Sequence, residues 1–207
     1  MANSYSIGSI YTGFLTPTEL QTEFRDYKLK VLNGEINFTP SERALNKHKD
    51  LLQFISDELP NDIISGSLSL NIFGLIYRDT NDIDVLIDDK DRYPKYIKDG
   101  YDDVEFSTPN RLGYREIKYQ KPSVGIEKLR IIRRKEEIYK VDFFYNDNNS
   151  SFIIIDFNGK KLKVHNPLEV MDYKLNMAIN TSVYSTTSRK HNEDLTRIFG
   201  QMCWQFT

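Results

Sequence analysis

The sequence predicts an α+β fold, and three observations predict it. Amphipathic helical patterns occupy both ends of the chain. A strand-rich stretch fills the middle. A helix-start signature, Thr-Pro-x-Glu or Asn-Pro-x-Glu, occurs three times, each time just ahead of a helical pattern. The expected organisation is an N-terminal arm with two helices over 1–60, a strand-rich core over 61–166 and a C-terminal helical segment over 167–207, packed on the core.

The elements follow in order. Thr16-Pro17-Thr18-Glu19 supplies an N-cap, a first-turn proline and a capping-box acid. Leu20, Phe24, Tyr27 and Val31 continue at helical spacing, and Asn33-Gly34 is the stop. Thr39-Pro40-Ser41-Glu42 opens a second helix carrying Leu45, Leu51, Leu52, Ile55 and Leu59, closed by Pro60. Ile63-Ile64-Ser65 is a short strand ending at Gly66-Ser67, and the apolar run from Leu68 to Tyr77 reads as a buried helix. Asp79-Thr80-Asn81 breaks that helix ahead of a strand over 82–87. A charged helical piece runs to about Gly100, then an irregular acidic stretch.

Strands are expected over 114–119, 126–133 and 138–145, with a turn at Asn146-Asp147-Asn148-Asn149. A hairpin follows over 152–157 and 161–164, turning at Asn158-Gly159. Asn166-Pro167-Leu168-Glu169 starts a helix with Leu168, Met171, Leu175 and Ala178 on one stripe. A polar loop over 181–188 leads to a last helix with Leu195, Ile198, Phe199 and Met202 on one side.

Composition narrows the function classes. The 207 residues are 39% hydrophobic and 28% charged, as in ordinary soluble proteins. A formal charge of −2 gives no basic field for strong general nucleic-acid binding. No apolar run approaches the roughly 20 residues that span a bilayer, so no membrane role is expected. The single cysteine, Cys203, excludes an intrachain disulfide framework and reads as a buried structural thiol. The N-terminus lacks the basic and apolar regions of a signal peptide. A cytoplasmic location is expected, with a virion component as the alternative.

The chemistry concentrates between Ile63 and Asp88. Asp82 and Asp84 stand two apart on a strand, so both side chains leave one face, roughly 7 Å apart at their roots. Paired carboxylates resist joint ionisation unless a cation compensates, and Mg²⁺ is the usual hard cation. Gly66-Ser67 lies at a strand-to-helix junction, where backbone N–H groups and a hydroxyl suit a phosphate. Asp142 sits mid-strand among apolar and aromatic residues, where a carboxylate is expensive unless it is paired or binds metal. If its strand lies beside that of Asp82 and Asp84, the three acids can share a two-metal centre. Each part also has a plainer reading: a simple turn at Gly66-Ser67, a solvated strand face at Asp82-Ile83-Asp84, an edge position facing water at Asp142.

At these residues the sequence resembles the DNA polymerase beta-like nucleotidyltransferase superfamily. Ser65-Gly66-Ser67 and Asp82-Ile83-Asp84 match its first two motifs, and Asp142 is the candidate third carboxylate. More narrowly, Arg78-Asp79-Thr80-Asn81-Asp82-Ile83-Asp84 resembles the form found in abortive-infection toxin-type bacterial nucleotidyltransferases. Lys174 and the run Arg189-Lys190-His191-Asn192-Glu193-Asp194-Leu195 resemble their downstream features, with His191 where aspartate is usual. The resemblance covers roughly residues 63–199.

The resemblance implies a minimal nucleotidyltransferase fold, with a mixed sheet flanked by helices. It implies transfer of a nucleoside monophosphate from an NTP, with pyrophosphate leaving. Asp82 and Asp84 would hold both metals (Mg²⁺, or Mn²⁺), Asp142 the catalytic one, and Gly66 and Ser67 the triphosphate. Lys174 lies beside its helix's apolar stripe and points inward, toward either a triphosphate or a salt bridge with Asp194 or Glu193. Arg78 either contacts phosphate or fixes the loop before the aspartates.

The acceptor is a small molecule, a protein or an RNA end. The basic run Lys128, Arg130, Arg133, Arg134 and Lys135 suits RNA or a phosphorylated acceptor, or is a solvated face. Tyr114, Tyr119 and Tyr139 are stacking candidates. Two other functions stand beside this one: a toxin restrained by a partner protein, and a non-catalytic structural or interaction protein within a larger assembly such as a phage particle. The N-terminal helices are the candidate partner surface.

Overall fold

The computed structural model describes residues 14–80, 83–88, 102–106, 129–134, 137–139, 141–145, 149–180 and 186–205. Contacts divide the chain into two compact units: Phe38–Val170, and Met1–Asn37 together with Met171–Thr207. The architecture is α+β, with a mixed sheet flanked by helices. Among the described residues, no helix is long and apolar enough to cross a membrane.

The sheet unit contains α2 (Glu42–Lys47), α3 (Lys49–Glu58), β1 (Ile63–Ser65), α4 (Gly66–Ile72) and β2 (Ile83–Ile87). It continues through β3 (Asp102–Phe106), β4 (Leu129–Arg134), β5 (Glu137–Tyr139), β6 (Val141–Tyr145), β7 (Phe152–Phe157) and β8 (Lys160–His165). Among the described residues, five strands form one sheet in the order β6-β2-β1-β8-β7, and three form another in the order β3-β4-β5. In the larger sheet β2 pairs parallel with β6 and antiparallel with β1, while β1 pairs parallel with β8.

The two faces of that sheet differ because side chains alternate along each strand. Ile64, Val85, Leu162, Val164 and Ile155 pack with Leu52 and Ile55 of α3, with Leu59 just past its end, and with Leu68 and Ile72 of α4, which makes the core. Asp84 and Leu86 alternate with the buried Ile83, Val85 and Ile87, so they take the opposite face. The β7–β8 hairpin turns through Asn158 (φ +51°) and Gly159 (φ +76°), the left-handed pair a tight two-residue turn requires.

Several elements differ from expectation. The second helix starts at Ser41, not Thr39: Ser41 Oγ accepts from the Ala44 N–H, and the Ser41 N–H is held by the Ile72 carbonyl. That helix also breaks at His48, where the backbone leaves the helical well and the imidazole is buried. The helix expected to reach Tyr77 ends at Ile72, because Gly74 turns left-handed (φ +68°). The strand expected over 138–145 is two strands, β5 and β6, which belong to different sheets. The acidic stretch read as irregular contains β3.

The second unit is helical. Its α1 (Pro17–Leu32) starts with the expected capping box, in which Thr16 accepts from the Glu19 N–H and Glu19 reaches back to the Thr16 N–H. Leu20, Phe24 and Tyr27 are buried, and Tyr27 packs on Phe199 of α6 (Thr186–Gln205) with ring centroids 6.0 Å apart. Burial pushes the Tyr27 hydroxyl up to about 12. Helix α5 (Pro167–Asn180) begins in the sheet unit and contributes the buried Met171, Leu175 and Ala178 to this one.

Asp82, residues 1–13 of the arm, the charged piece up to Gly100, the expected strand over 114–119 and most of the 181–188 loop lie outside the described residues. So do the side chains of Lys128, Arg130, Arg133, Arg134 and Lys135, of Tyr114, Tyr119 and Tyr139, and of Cys203.

Leu52 has no exposed surface, and its truncation leaves a cavity. Leu52→Ala is expected to lower unfolding free energy by about 2–5 kcal/mol in chemical denaturation. Ile154→Ala, at an exposed position, should stay within about 0.5 kcal/mol. Equal losses at the two positions would refute this assignment of the core.

Candidate functional site

The site is built where β1 gives way to α4. Gly66 has φ +60°, which an L side chain resists, and the space above its Cα is already filled. A Cβ placed there would lie 1.8 Å from Oδ2 of Asp84 and 2.7 Å from its Cγ. The Asp84 carboxylate therefore rests directly on the glycine. Antiparallel pairing sets Asp84 opposite Ser65, the residue before that glycine.

The parallel ladder between β2 and β6 sets Asp84 opposite Asp142. Ser65, Asp84 and Asp142 thus occupy one row across three strands, on the face away from the α3 and α4 core. The sequence supplied these residues, and the pairing of β2 with β6 is the juxtaposition the expected carboxylate cluster needs. The side chain of Asp142, like Asp82 altogether, lies outside the described residues. Among the described residues no group of three metal-binding side chains gathers.

Ser67 and Arg78 also come together. Ser67 Oγ accepts a short hydrogen bond from the Arg78 guanidinium. Asn71, nearly fully buried, fixes both partners by donating from Nδ2 to the Ser67 carbonyl at 3.3 Å and the Arg78 carbonyl at 3.1 Å. Ser69 Oγ donates to the Gly66 carbonyl at 2.9 Å. Next to Arg78, Lys47 holds the exposed Asp79 carboxyl below its ordinary value through a 2.7 Å contact. Thr80 Oγ1 is enclosed, with no hydrogen-bond partner among the described residues.

Lys174 points inward, as expected, and the structural alternative accounts for it. Its Nζ is buried and lies 2.8 Å from Asp194 Oδ2, with His191 Nδ1 at 3.4 Å. Glu193 instead pairs with Arg197 at the surface. His191, the departure from the aspartate usual at its position, stacks edge-on to Tyr173.

Sequence reasoning missed His165. Its expected strand stopped at Val164, whereas β8 runs one residue further and delivers a buried imidazole to Ser65. Alternation along Lys161-Leu162-Lys163-Val164 was the signal that could have placed it. Glu169 does not close a third capping box, since its carboxylate binds Ser151 and His165.

No protein-family profile matches the chain, and no curated protein does. Solved structures give partial likenesses. An antigenic nucleotidyltransferase-like protein from Paracoccidioides brasiliensis is 14% identical, with 77% of this chain and 76% of that one covered and a TM-score of 0.44. The Helicobacter pylori protein JHP933 is 18% identical over 68% of this chain and 58% of its own, with a TM-score of 0.38. Likeness at this level assigns neither a family nor an activity to the chain.

Two substitutions test the geometry. Gly66→Ala carries left-handed strain of roughly 1–2 kcal/mol plus the collision with Asp84, and is expected to cost more than Gly159→Ala, which carries strain alone. In an Asp84→Ala background the Gly66→Ala cost should shrink by about 1 kcal/mol in a double-mutant cycle. Strict additivity would refute the close approach. In the helical unit, Asp194→Ala removes the buried counter-charge of the Lys174 ammonium and should cost about 3–5 kcal/mol. Glu193→Ala, at an exposed pair, should cost at most about 1 kcal/mol. Similar losses from both would refute the assignment of Asp194 as the partner.

Proposed function

We propose that the chain is a metal-dependent nucleotidyltransferase, moving a nucleoside monophosphate from an NTP to a hydroxyl-bearing acceptor. The single observation that carries this reading is the register that sets Asp84 beside Asp142, with the Asp84 carboxylate seated on Gly66. Two acidic positions side by side on neighbouring strands, on the face turned away from the apolar core, suit a hard oxygen-seeking cation. The glycine seat fits the same purpose, because a carboxylate packed against backbone is held in one orientation.

In this reading Asp82, Asp84 and Asp142 hold Mg²⁺, with Mn²⁺ as a substitute. Bound there, the metal would neutralise triphosphate charge and favour the ionised acceptor oxygen. The residues do the remainder. Arg78 and Ser67, already in contact, turn toward the phosphate oxygens, with the guanidinium matching them in charge and geometry. Asn71 keeps that pair in place from below. Asp142 assists removal of the acceptor proton. The acceptor oxygen bonds to the α-phosphorus, the bond to the β-phosphate oxygen breaks, and pyrophosphate leaves.

Lys174 has no part in this scheme, since Asp194 takes its charge. The narrower assignment to the abortive-infection toxin type belongs to the same proposal, and the run from Arg78 to Asp84 supports it.

Thermal melting with Mg²⁺ and each NTP in turn tests the proposal. At a concentration of 100 Kd the true nucleotide should stabilise the protein by about 2.7 kcal/mol. Asp84→Asn and Asp142→Asn should each abolish that gain and the release of pyrophosphate. No shift with any NTP, or an undiminished shift in both variants, would sink the enzyme reading and leave the fold to a non-catalytic role.

A further inference from the structure

The polar row on the sheet does not stop at Ser65. Strands β1 and β8 run parallel, with Ile63 beside Lys163 and Ile64 beside Val164. The next position brings Ser65 to His165, and their side chains meet, Oγ to Nδ1, at 2.7 Å. On its far side His165 Nε2 lies 3.0 Å from Glu169 Oε2. Glu169 in turn accepts from the Ser151 N–H at 3.1 and 3.2 Å and from the Ser151 hydroxyl. Ser65 and His165 are both buried. One hydrogen-bonded chain therefore joins the start of α5 to the residue paired with Asp84.

The chemistry of the chain fixes the direction of its protons. Burial alone pushes the Glu169 carboxyl up, but the combined hydrogen bonds from Ser151 and His165 outweigh it and hold the group below its ordinary value. Glu169 is thus ionised at neutral pH and can only accept. Burial also holds the His165 imidazole below its ordinary value, against the pull of Glu169, so the ring is neutral. Its one proton must sit on Nε2, facing Glu169. Nδ1 is then bare, and it can only accept the Ser65 hydroxyl hydrogen.

Ser65 behaves accordingly. It is the N-cap residue of α4 yet makes no side-chain cap bond, although serine at that position usually accepts from the first turn. Its hydroxyl is turned to His165 instead. The other neighbour of Ser65 along the row is Asp84, from which the hydrogen is directed away.

We propose that His165, fixed by Glu169, is a positioning residue for the transfer site: it takes the Ser65 hydroxyl hydrogen and so prevents Ser65 from donating to the Asp84 carboxylate. This rests on the reading of Asp84 as a cation-binding group. A cation needs the carboxylate lone pairs, and a serine hydroxyl free to donate from the position paired with Asp84 would compete for one. The device is electrostatic tidiness at one remove, and neither His165 nor Glu169 need touch nucleotide.

Mn²⁺ binding by electron paramagnetic resonance, without nucleotide or acceptor, tests it directly. His165→Asn keeps an acceptor near the Nδ1 position and should bind Mn²⁺ within about threefold of wild type. His165→Gln reaches toward Glu169 and abandons Ser65, so its affinity should fall by about 10-fold or more. Adding Ser65→Ala to His165→Gln removes the competing donor and should restore binding, an outcome a merely structural role would not give. Glu169→Gln, at a more exposed site, keeps the test available if a His165 variant does not fold, and it should weaken Mn²⁺ in the same direction. Nitrogen-15 spectra of the wild-type imidazole should report a proton on Nε2 and a bare Nδ1.

Wild-type binding with equal affinities for the Asn and Gln variants, or no restoration by Ser65→Ala, overturns the positioning role alone. A proton on Nδ1 also overturns it. Absence of wild-type Mn²⁺ binding overturns the transfer reading, and the positioning role with it.

Discussion

The contact between the Asp84 carboxylate and the bare Cα of Gly66 is the constraint on which the site depends. It requires a left-handed residue where β1 turns into α4, and antiparallel pairing that brings Asp84 level with that turn. It also requires that Asp84 point away from the core. Ile83, Val85 and Ile87 enforce this, because they fill the apolar space under α3 and α4. A one-residue slip of β2 would drive the carboxylate into Leu52 and Ile55 and push three apolar side chains out. Register and charge placement are therefore one problem, and the core solves it.

Buried polar groups serve different ends in the two units. Lys174 and Asp194 pair inside the helical unit, both buried, at 2.8 Å. Removing one would be far worse than replacing both with apolar groups. In the sheet unit the polar atoms form a longer series instead, in which Ser65 donates to His165, and His165 and Ser151 both donate to Glu169. A pair is satisfied once closed. A series ends on something, and this one ends beside the acidic row.

What the sequence made legible was local. The start of α1 was readable because a capping box is written in four consecutive residues, and the β7–β8 turn because Asn-Gly favours left-handed backbone. Gly66, Ser67 and Asp84 could be nominated from their spacing alone. What stayed hidden depended on partners far along the chain. Nothing between residues 137 and 145 announces that β5 and β6 join different sheets, since an apolar alternating run suits either. The break at His48 and the start at Ser41 are decided by what lies underneath, including the bond from Ser41 to Ile72. His165 escaped notice because its importance lies in a neighbour, and cross-strand neighbours are not visible from spacing.

That same neighbour has a consequence for how the protein comes into being. Ser65 and His165 are separated by 100 positions, and the parallel pairing of β1 with β8 closes that whole span. Such long-range pairings are the slow steps of folding, because the entropy of closing the span is lost before the contacts repay it. During synthesis the glycine seat, Asp84 and the strand of Asp142 all emerge before β8 exists. A ribosome-bound chain can hold every acidic residue of the row and still lack the strand that completes it. The order of the sequence thus delays a finished site until the sheet itself is finished.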